Sequence, residues 1–239
     1  MTIQILENIA FTTVTNSTGA EETLHLDLYL PEDHSQALHS CIIFIHGGGF
    51  QTGNDKRQGY IQMLCQTFAE KGVVCVSPDY RVRPDPRPDW KGAVADAAAD
   101  ARAALEWVKA NHAAYQIDPQ NITLAGGSAG GMTAISLVHD PASPITRTSG
   151  VKAVINMWGS PSRKDRLFIT VNRHSPPTLI IHGTADQLVP YENSREFAAE
   201  LAQNGVLVQL LTLPGAPHTP VIQQPQVIIS AIEEFLSRV

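Results

Sequence analysis

The sequence predicts an α/β protein built on a mainly parallel sheet with helices on both faces. Three observations carry this. Short, continuously apolar runs such as Cys41-Ile42-Ile43-Phe44-Ile45 recur along the chain, as strands covered on both faces require. Longer stretches of helical character separate them, and that alternation builds parallel sheets. Several apolar runs end in glycine-rich turns, at the strand ends where ligands bind in open α/β sheets.

The elements follow in order. Residues 9–14 and 23–30 alternate apolar and polar, with Ile9 and Phe11, then Leu24, Leu26, Leu28 and Leu30. The turn Asn16-Ser17-Thr18-Gly19 between them predicts an N-terminal antiparallel hairpin. Residues 41–45 predict a buried strand, 58–71 a helix stopped by Gly72, and 73–77 the next strand. An Ala-rich helix is expected over about 91–113. The run Ile122-Thr123-Leu124-Ala125 reads as a strand and Met132–Val138 as a helix. Strands are expected at 151–156, 178–182 and 206–213, with helices at 191–204 and 221–238. Residues 159–177, which contain Pro161, Pro176 and Pro177, read as irregular. No repeat, low-complexity segment or linker divides the 239 residues, so a single domain over 1–239 is expected, with any cap insertion confined to 159–177.

Composition narrows the function classes. Hydrophobic content of 43% with 17% charged residues is that of a globular chain and not of a disordered one. A net charge of −6 with scattered Lys and Arg argues against nucleic acid as a partner. No apolar run reaches the length of a membrane span, so a soluble protein with no membrane partner is expected. Met1–Glu7 lacks a basic region followed by an apolar one, so no signal peptide is read; cytoplasmic is the default, although a processed secreted form would look the same. Cys41, Cys65 and Cys75 are odd in number and lack metal-ligand spacing, which predicts buried free thiols. His25, His34, His39, His112, His139 and His174 share no metal-like spacing either, so no metal is expected. His139 ends a helix, where a histidine suits the dipole.

Chemistry concentrates at four strand ends. Gly126-Gly127-Ser128-Ala129-Gly130-Gly131 lies between a strand and a helix, the context of a nucleophile elbow. Gly126 and Gly130 remove Cβ atoms that would clash in so tight a turn. The strand at 41–45 ends on His46-Gly47-Gly48-Gly49-Phe50, whose consecutive glycines suit an oxyanion loop. The N–H groups of Gly48 and Gly49 are its expected donors, joined by that of Ala129, while His46 is read as holding the loop by a hydrogen bond. The strand at 178–182 ends on His182-Gly183-Thr184-Ala185-Asp186, which sets Asp186 where an orienting carboxylate belongs and leaves His182 as a packed core histidine. The last strand ends on a loop carrying His218. Each motif alone is also an ordinary turn, Asx turn or solvated histidine. Together they give the order Ser128, Asp186, His218, each at a strand end, which points to a catalytic triad. Phe50 and Trp158 are candidate pocket residues with weaker support, since burial of either in the core explains it equally well. The stiff polar loop 83–89 is placed to rim the entrance.

His46-Gly-Gly-Gly-Phe50, Pro78-Asp79-Tyr80-Arg81, Gly126–Gly131, His182–Asp186 and Gly215–His218 together resemble the α/β-hydrolase esterases over nearly the whole chain from about residue 23. The nearest resemblance is to the small acetyl-xylan and feruloyl esterase-like hydrolases and the hormone-sensitive-lipase-like carboxylesterases. Two departures stand out: Gly127 replaces an Asp common in relatives, and the N-terminal helical cap of the lipase-like branch is replaced by the hairpin. The resemblance implies an α/β-hydrolase fold with a minimal cap, hydrolysis of short-acyl esters such as acetylated sugar or feruloyl esters through an acyl-enzyme, and no cofactor. It leaves open an amide-type hydrolase of the formylkynurenine formamidase or peptidase kind, and a non-catalytic scaffold. The expected partner is a small-molecule ester; a monomer and a homodimer suit the fold equally.

Overall fold

The computed structural model describes residues 2–32, 37–142 and 145–239, so His34 lies outside the described residues. β1 (Ile3–Thr15) and β2 (Glu21–Pro31) form the antiparallel hairpin. Its turn is set by the Asn16 side chain, whose Oδ1 accepts the N–H groups of Thr18 and Ala20. β1 starts well before the expected residue 9 because the pairing slips between Leu6 and Ile9, with Asn8 at φ 57°, and a bulge breaks the two-residue period that marks a strand. β2 also departs from simple alternation. Asp27 occupies a polar position of the pattern yet is 1% exposed. It accepts the Asn8 N–H at 2.7 Å and lies 3.7 Å from Lys56 Nζ, which also pairs with Asp79 at 3.2 Å.

The other strands are β3 (His39–Ile45), β4 (Val74–Pro78), β5 (Ile117–Gly127), β6 (Val151–Met157), β7 (Thr178–Gly183) and β8 (Val208–Leu213). Among the described residues eight strands form one sheet in the order β1-β2-β4-β3-β5-β6-β7-β8. The pairs from β4 to β8 are parallel, while β2 meets β4 antiparallel. The helices are α1 (Gly59–Ala69), α2 (Trp90–Ala110), α3 (Ala129–Val138), α4 (Tyr191–Gln203) and α5 (Pro225–Leu236). One core holds Ala93, Ala97 and Ala101 of α2 with Ile135 of α3 and Phe197 of α4; the other holds Leu64 and Phe68 of α1 with Ile228 and Ile232 of α5. Alanines at four-residue spacing give α2 a flat face on which the apolar α3 packs closely. This is the α/β-hydrolase architecture with the expected hairpin and helices on both faces.

Two local expectations change. The last helix does not run from residue 221: a 3₁₀ turn occupies Pro220–Ile222 and α5 starts at Pro225. The proline ring excludes Gln224 from the α region, and that residue sits at φ −131°, ψ 49°. His139 does cap α3, but not as a cation on the dipole. It is fully buried, and burial lowers its pKa to about 4, so it is neutral. Loop 83–89 is pinned by pairs from Arg83 to Asp89 and Asp96 and from Arg87 to Asp85. Cys41 on β3, Cys65 on α1 and Cys75 on β4 are buried and free. No described helix is long and apolar enough to cross a membrane.

The connections around β3 position the site. From β3 the chain passes through α1 to β4 on one side, then through α2 to β5 on the other. A crevice opens beyond the strand ends where the direction of winding reverses. Here that point is the paired ends of β3 and β5, where Ile45 lies opposite Gly126.

Candidate active site

Ser128 occupies the turn between β5 and α3 at φ 54°, ψ −121°, a left-handed conformation that costs a non-glycine residue on the order of 1–3 kcal/mol. The surrounding structure holds it there. Ser128 N–H donates to the Met157 carbonyl at 2.9 Å, and the Ser128 carbonyl accepts from Met132 at 3.0 Å. A Cβ on Gly126 would lie 2.3 Å from the Gly130 carbonyl carbon, and one on Gly130 would lie 2.1 Å from the Ile45 carbonyl oxygen. Only glycine lets β3, β5 and the start of α3 interlock this closely.

The three residues expected from the strand ends stand in one hydrogen-bonded line. Ser128 Oγ lies 2.9 Å from His218 Nε2, and His218 Nδ1 lies 2.7 Å from Asp186 Oδ2. Asp186 Oδ1 accepts the N–H groups of Leu188 at 2.8 Å and Val189 at 3.0 Å. Burial works to raise the Asp186 pKa, but the bonds from His218, Val189 and Leu188 outweigh it and hold the carboxyl below its usual range. The arrangement can take a proton from Ser128 and hold the resulting imidazolium against a fixed anion.

His182 is fully buried, as a core histidine should be, but it is not a passive one. Its Nε2 lies 2.9 Å from Asp186 Oδ2 and 3.0 Å from the Val189 carbonyl, so Nε2 carries the proton. Its Nδ1 then accepts the Ser194 hydroxyl at 2.6 Å. Ser194 Oγ stands 2.6 Å from Ser160 Oγ, which accepts Asn156 Nδ2–H at 2.8 Å. Every donor in this buried run points toward the carboxylate. Burial lowers the His182 pKa despite Asp186 and keeps the ring neutral.

The loop after β3 has Gly48 at φ 101° and Gly49 at φ 63°, and neither N–H meets an acceptor among the described residues. Gln58 Oε1 accepts Gly47 N–H at 2.9 Å, and Asn54 Nδ2 donates to the Gly48 carbonyl at 3.3 Å. His46 donates from Nδ1 to the Gly47 carbonyl at 2.8 Å and stacks on Tyr80 at 4.1 Å. Ala129 is the first residue of α3, where N–H groups lack acceptors within the helix. Gly48, Gly49, Ser128 and His218 face a cleft of about 420 Å³, with Trp90, Tyr60 and Trp158 in its wall. Phe50 is not in that wall. Its left-handed backbone, φ 61°, turns the ring inward, where it is fully buried against Tyr80 and Trp90. None of residues 83–89 lines the cleft.

The BD-FAE family model matches residues 26–160, which hold the glycine loop after β3 and the turn at Ser128. The chain belongs to the BD-FAE family. The Prolyl oligopeptidase family model matches residues 151–237, which hold Asp186 and His218. Esterase LipC of Mycobacterium tuberculosis is 30% identical over 84% of this chain and 58% of its own length. Isoprenylcysteine α-carbonyl methylesterase ICME of Arabidopsis thaliana is 24% identical over 86% of this chain and 56% of its own length. The chain spans between 49% and 60% of the length of three Mycobacterium tuberculosis relatives, LipC, LipM and LipQ. Thermogutta terrifontis esterase 2 in its propionate-bound form superposes with a TM-score of 0.79 at 30% identity, over 97% of this chain and 93% of that one. The curated relatives and the superposed structure are esterases, and the chain shares their α/β-hydrolase fold.

Proposed function

We propose that this chain is a serine carboxylesterase in which Ser128, His218 and Asp186 act as the triad and the N–H groups of Gly48, Gly49 and Ala129 as the oxyanion hole. The observation that carries the reading is the unbroken line from Ser128 Oγ through both His218 nitrogens to Asp186, with spacings of 2.9 and 2.7 Å. His218 Nε2 takes the Ser128 proton as Oγ attacks the ester carbonyl carbon. The oxyanion forms beside the glycine loop, where losing one donor in such a site costs about 2.7–4 kcal/mol. His218 then gives its proton to the departing alkoxide, leaving an acyl-enzyme. Water, deprotonated by the same nitrogen, releases the acid and restores Ser128.

The acyl preference is for short chains. The cleft of about 420 Å³ suits a small acid, and the neighbouring esterase 2 was solved with propionate and with butyrate. Minimal capping leaves room for a bulky alcohol such as a sugar or an aromatic group, so acetylated sugars and feruloyl esters are the natural candidates. The match of residues 151–237 to the Prolyl oligopeptidase family supports an amide substrate as the second reading. A series of p-nitrophenyl esters from acetyl to decanoyl, run beside a formyl-amide, tests both. Fastest turnover on acetyl, lost by about 10⁶-fold in Ser128→Ala, is expected by comparison with other serine hydrolases. Turnover surviving Ser128→Ala sinks the proposal, and faster turnover of the amide favours the second reading.

A further inference from the structure

Tyr60 is the second residue of α1, and its hydroxyl ends beside the nucleophile. A Cβ built on Gly127 would lie 2.6 Å from Tyr60 Oη. A Cβ built on Gly47 would lie 3.2 Å from it and 3.4 Å from Ser128 Cβ. Tyr60 Oη is therefore wedged between the two glycines that precede the nucleophile and the oxyanion donors. It is buried, with the Gly47 N–H beside its oxygen, and its O–H has no acceptor among the described residues. The neighbouring backbone groups are already used: Gly47 N–H goes to Gln58 Oε1 at 2.9 Å, and the Gly47 carbonyl accepts from His46 and from Tyr80. A buried O–H left without an acceptor is a standing cost to the fold. Chain geometry keeps it in place all the same. Tyr60 packs against Trp158 with ring centroids 5.8 Å apart, and a Cβ on Gly127 would also lie 2.9 Å from Trp158. Glycine at 127 is what allows both rings to close on the elbow.

The sheet order assigns a side to this hydroxyl. His218, on the loop after β8, reaches Ser128 from one side, and the leaving alcohol must face it to receive its proton. Tyr60 arrives with α1 from the β3 side, beside Gly47 and away from the His218 loop, which is the side left to the carbonyl oxygen and the acid portion. Resting on the serine-esterase reading, we infer that Tyr60 donates a hydrogen bond to an oxygen on the acid portion, close to the carbonyl under attack. The enzyme therefore selects esters of hydroxy- or alkoxy-substituted short acids over plain alkanoates. Burial also raises the Tyr60 pKa, which keeps the phenol protonated as a donor.

The test compares p-nitrophenyl methoxyacetate with p-nitrophenyl butanoate, which match in shape and differ by one ether oxygen. The readout is the ratio of kcat/KM for the two esters, measured in wild-type enzyme and in Tyr60→Phe. Dividing one enzyme's ratio by the other's cancels the intrinsic reactivity of methoxyacetate and any inactive fraction of the variant. The preference for methoxyacetate is expected to fall about fivefold in the variant, the worth of one neutral hydrogen bond. An unchanged ratio overturns the inference, whether both rates fall together or neither moves. Equal losses on both esters would make Tyr60 an oxyanion or packing residue instead. Failure of the underlying reading shows separately, as butanoate turnover that survives Ser128→Ala.

Discussion

Replacing His182 by Phe should slow the enzyme without touching a residue that meets substrate. Asp186 receives N–H groups from His218 at 2.7 Å, Leu188 at 2.8 Å, His182 at 2.9 Å and Val189 at 3.0 Å. The His182 bond reaches the same oxygen that His218 uses, so it fixes the orientation of the acceptor the base depends on. A hydrogen bond to a buried charge is worth about 1.5–3 kcal/mol, which converts to a loss of about 10- to 100-fold in kcat. The ceiling is the ~10⁴-fold cost of losing the tautomer-setting carboxylate itself in a serine protease. Initial rates on p-nitrophenyl acetate, normalised to Ser128 labelled by a fluorophosphonate, separate slower chemistry from lost protein. His182→Gln, whose amide offers N–H to Asp186 and an oxygen to Ser194, should recover most of the rate. A His182→Phe enzyme with more than half the wild-type kcat, or with its loss confined to KM, would refute the reasoning.

Two further outcomes concern stability. His139 is neutral in the fold, with its pKa lowered to about 4 by burial, whereas an unfolded histidine titrates near ~6.5. The unfolded chain binds this proton first, so the stability is complete above about pH 6.5 and is lost as pH falls toward 4. His46, also lowered to about 4 by burial, acts with the same sign. Urea unfolding at pH 7.5 and 4.5 should show the wild type losing stability, with about 2–3 kcal/mol of the loss absent in His139→Gln. Lys56→Met should cost about 1–3 kcal/mol, because the 1%-exposed Asp27 keeps only Arg57 at 3.6 Å and the Asn8 N–H, and it then faces the partly buried Asp79 unshielded. Adding Asp27→Asn should return part of that, measured by the same urea midpoints.

Much of this was readable in the letters because the signals are local. The apolar runs mark strands that are covered on both faces, and the glycines at 126 and 130 report contacts that only glycine permits. Ser128 follows directly on β5, and Asp186 and His218 lie in the loops after β7 and β8, so the order of strands and glycine turns alone brings the three to one edge. What stayed hidden depends on partners distant in sequence. Asp27 alternates like an outward residue, and Lys56 and Arg57 arriving from the β3–α1 loop explain its burial. Phe50 sits where a pocket residue is expected, but one left-handed dihedral turns it into the core. The run from Asn156 through Ser160 and Ser194 to His182 draws on β6, the loop after it, α4 and β7, and no spacing announces it.

The three thiols give the molecule a built-in clock. Cys41, Cys65 and Cys75 lie fully out of solvent on β3, α1 and β4, away from the Asp186 and His218 loops. A thiol reagent reaches them only when the middle of the sheet opens, whereas ester turnover needs the rim loops intact. Followed together in mild denaturant, the two signals order the events of unfolding. Turnover that vanishes while the cysteines stay silent means the rim melts first over an intact sheet. Simultaneous loss means the catalytic loops and the centre of the sheet open as one unit.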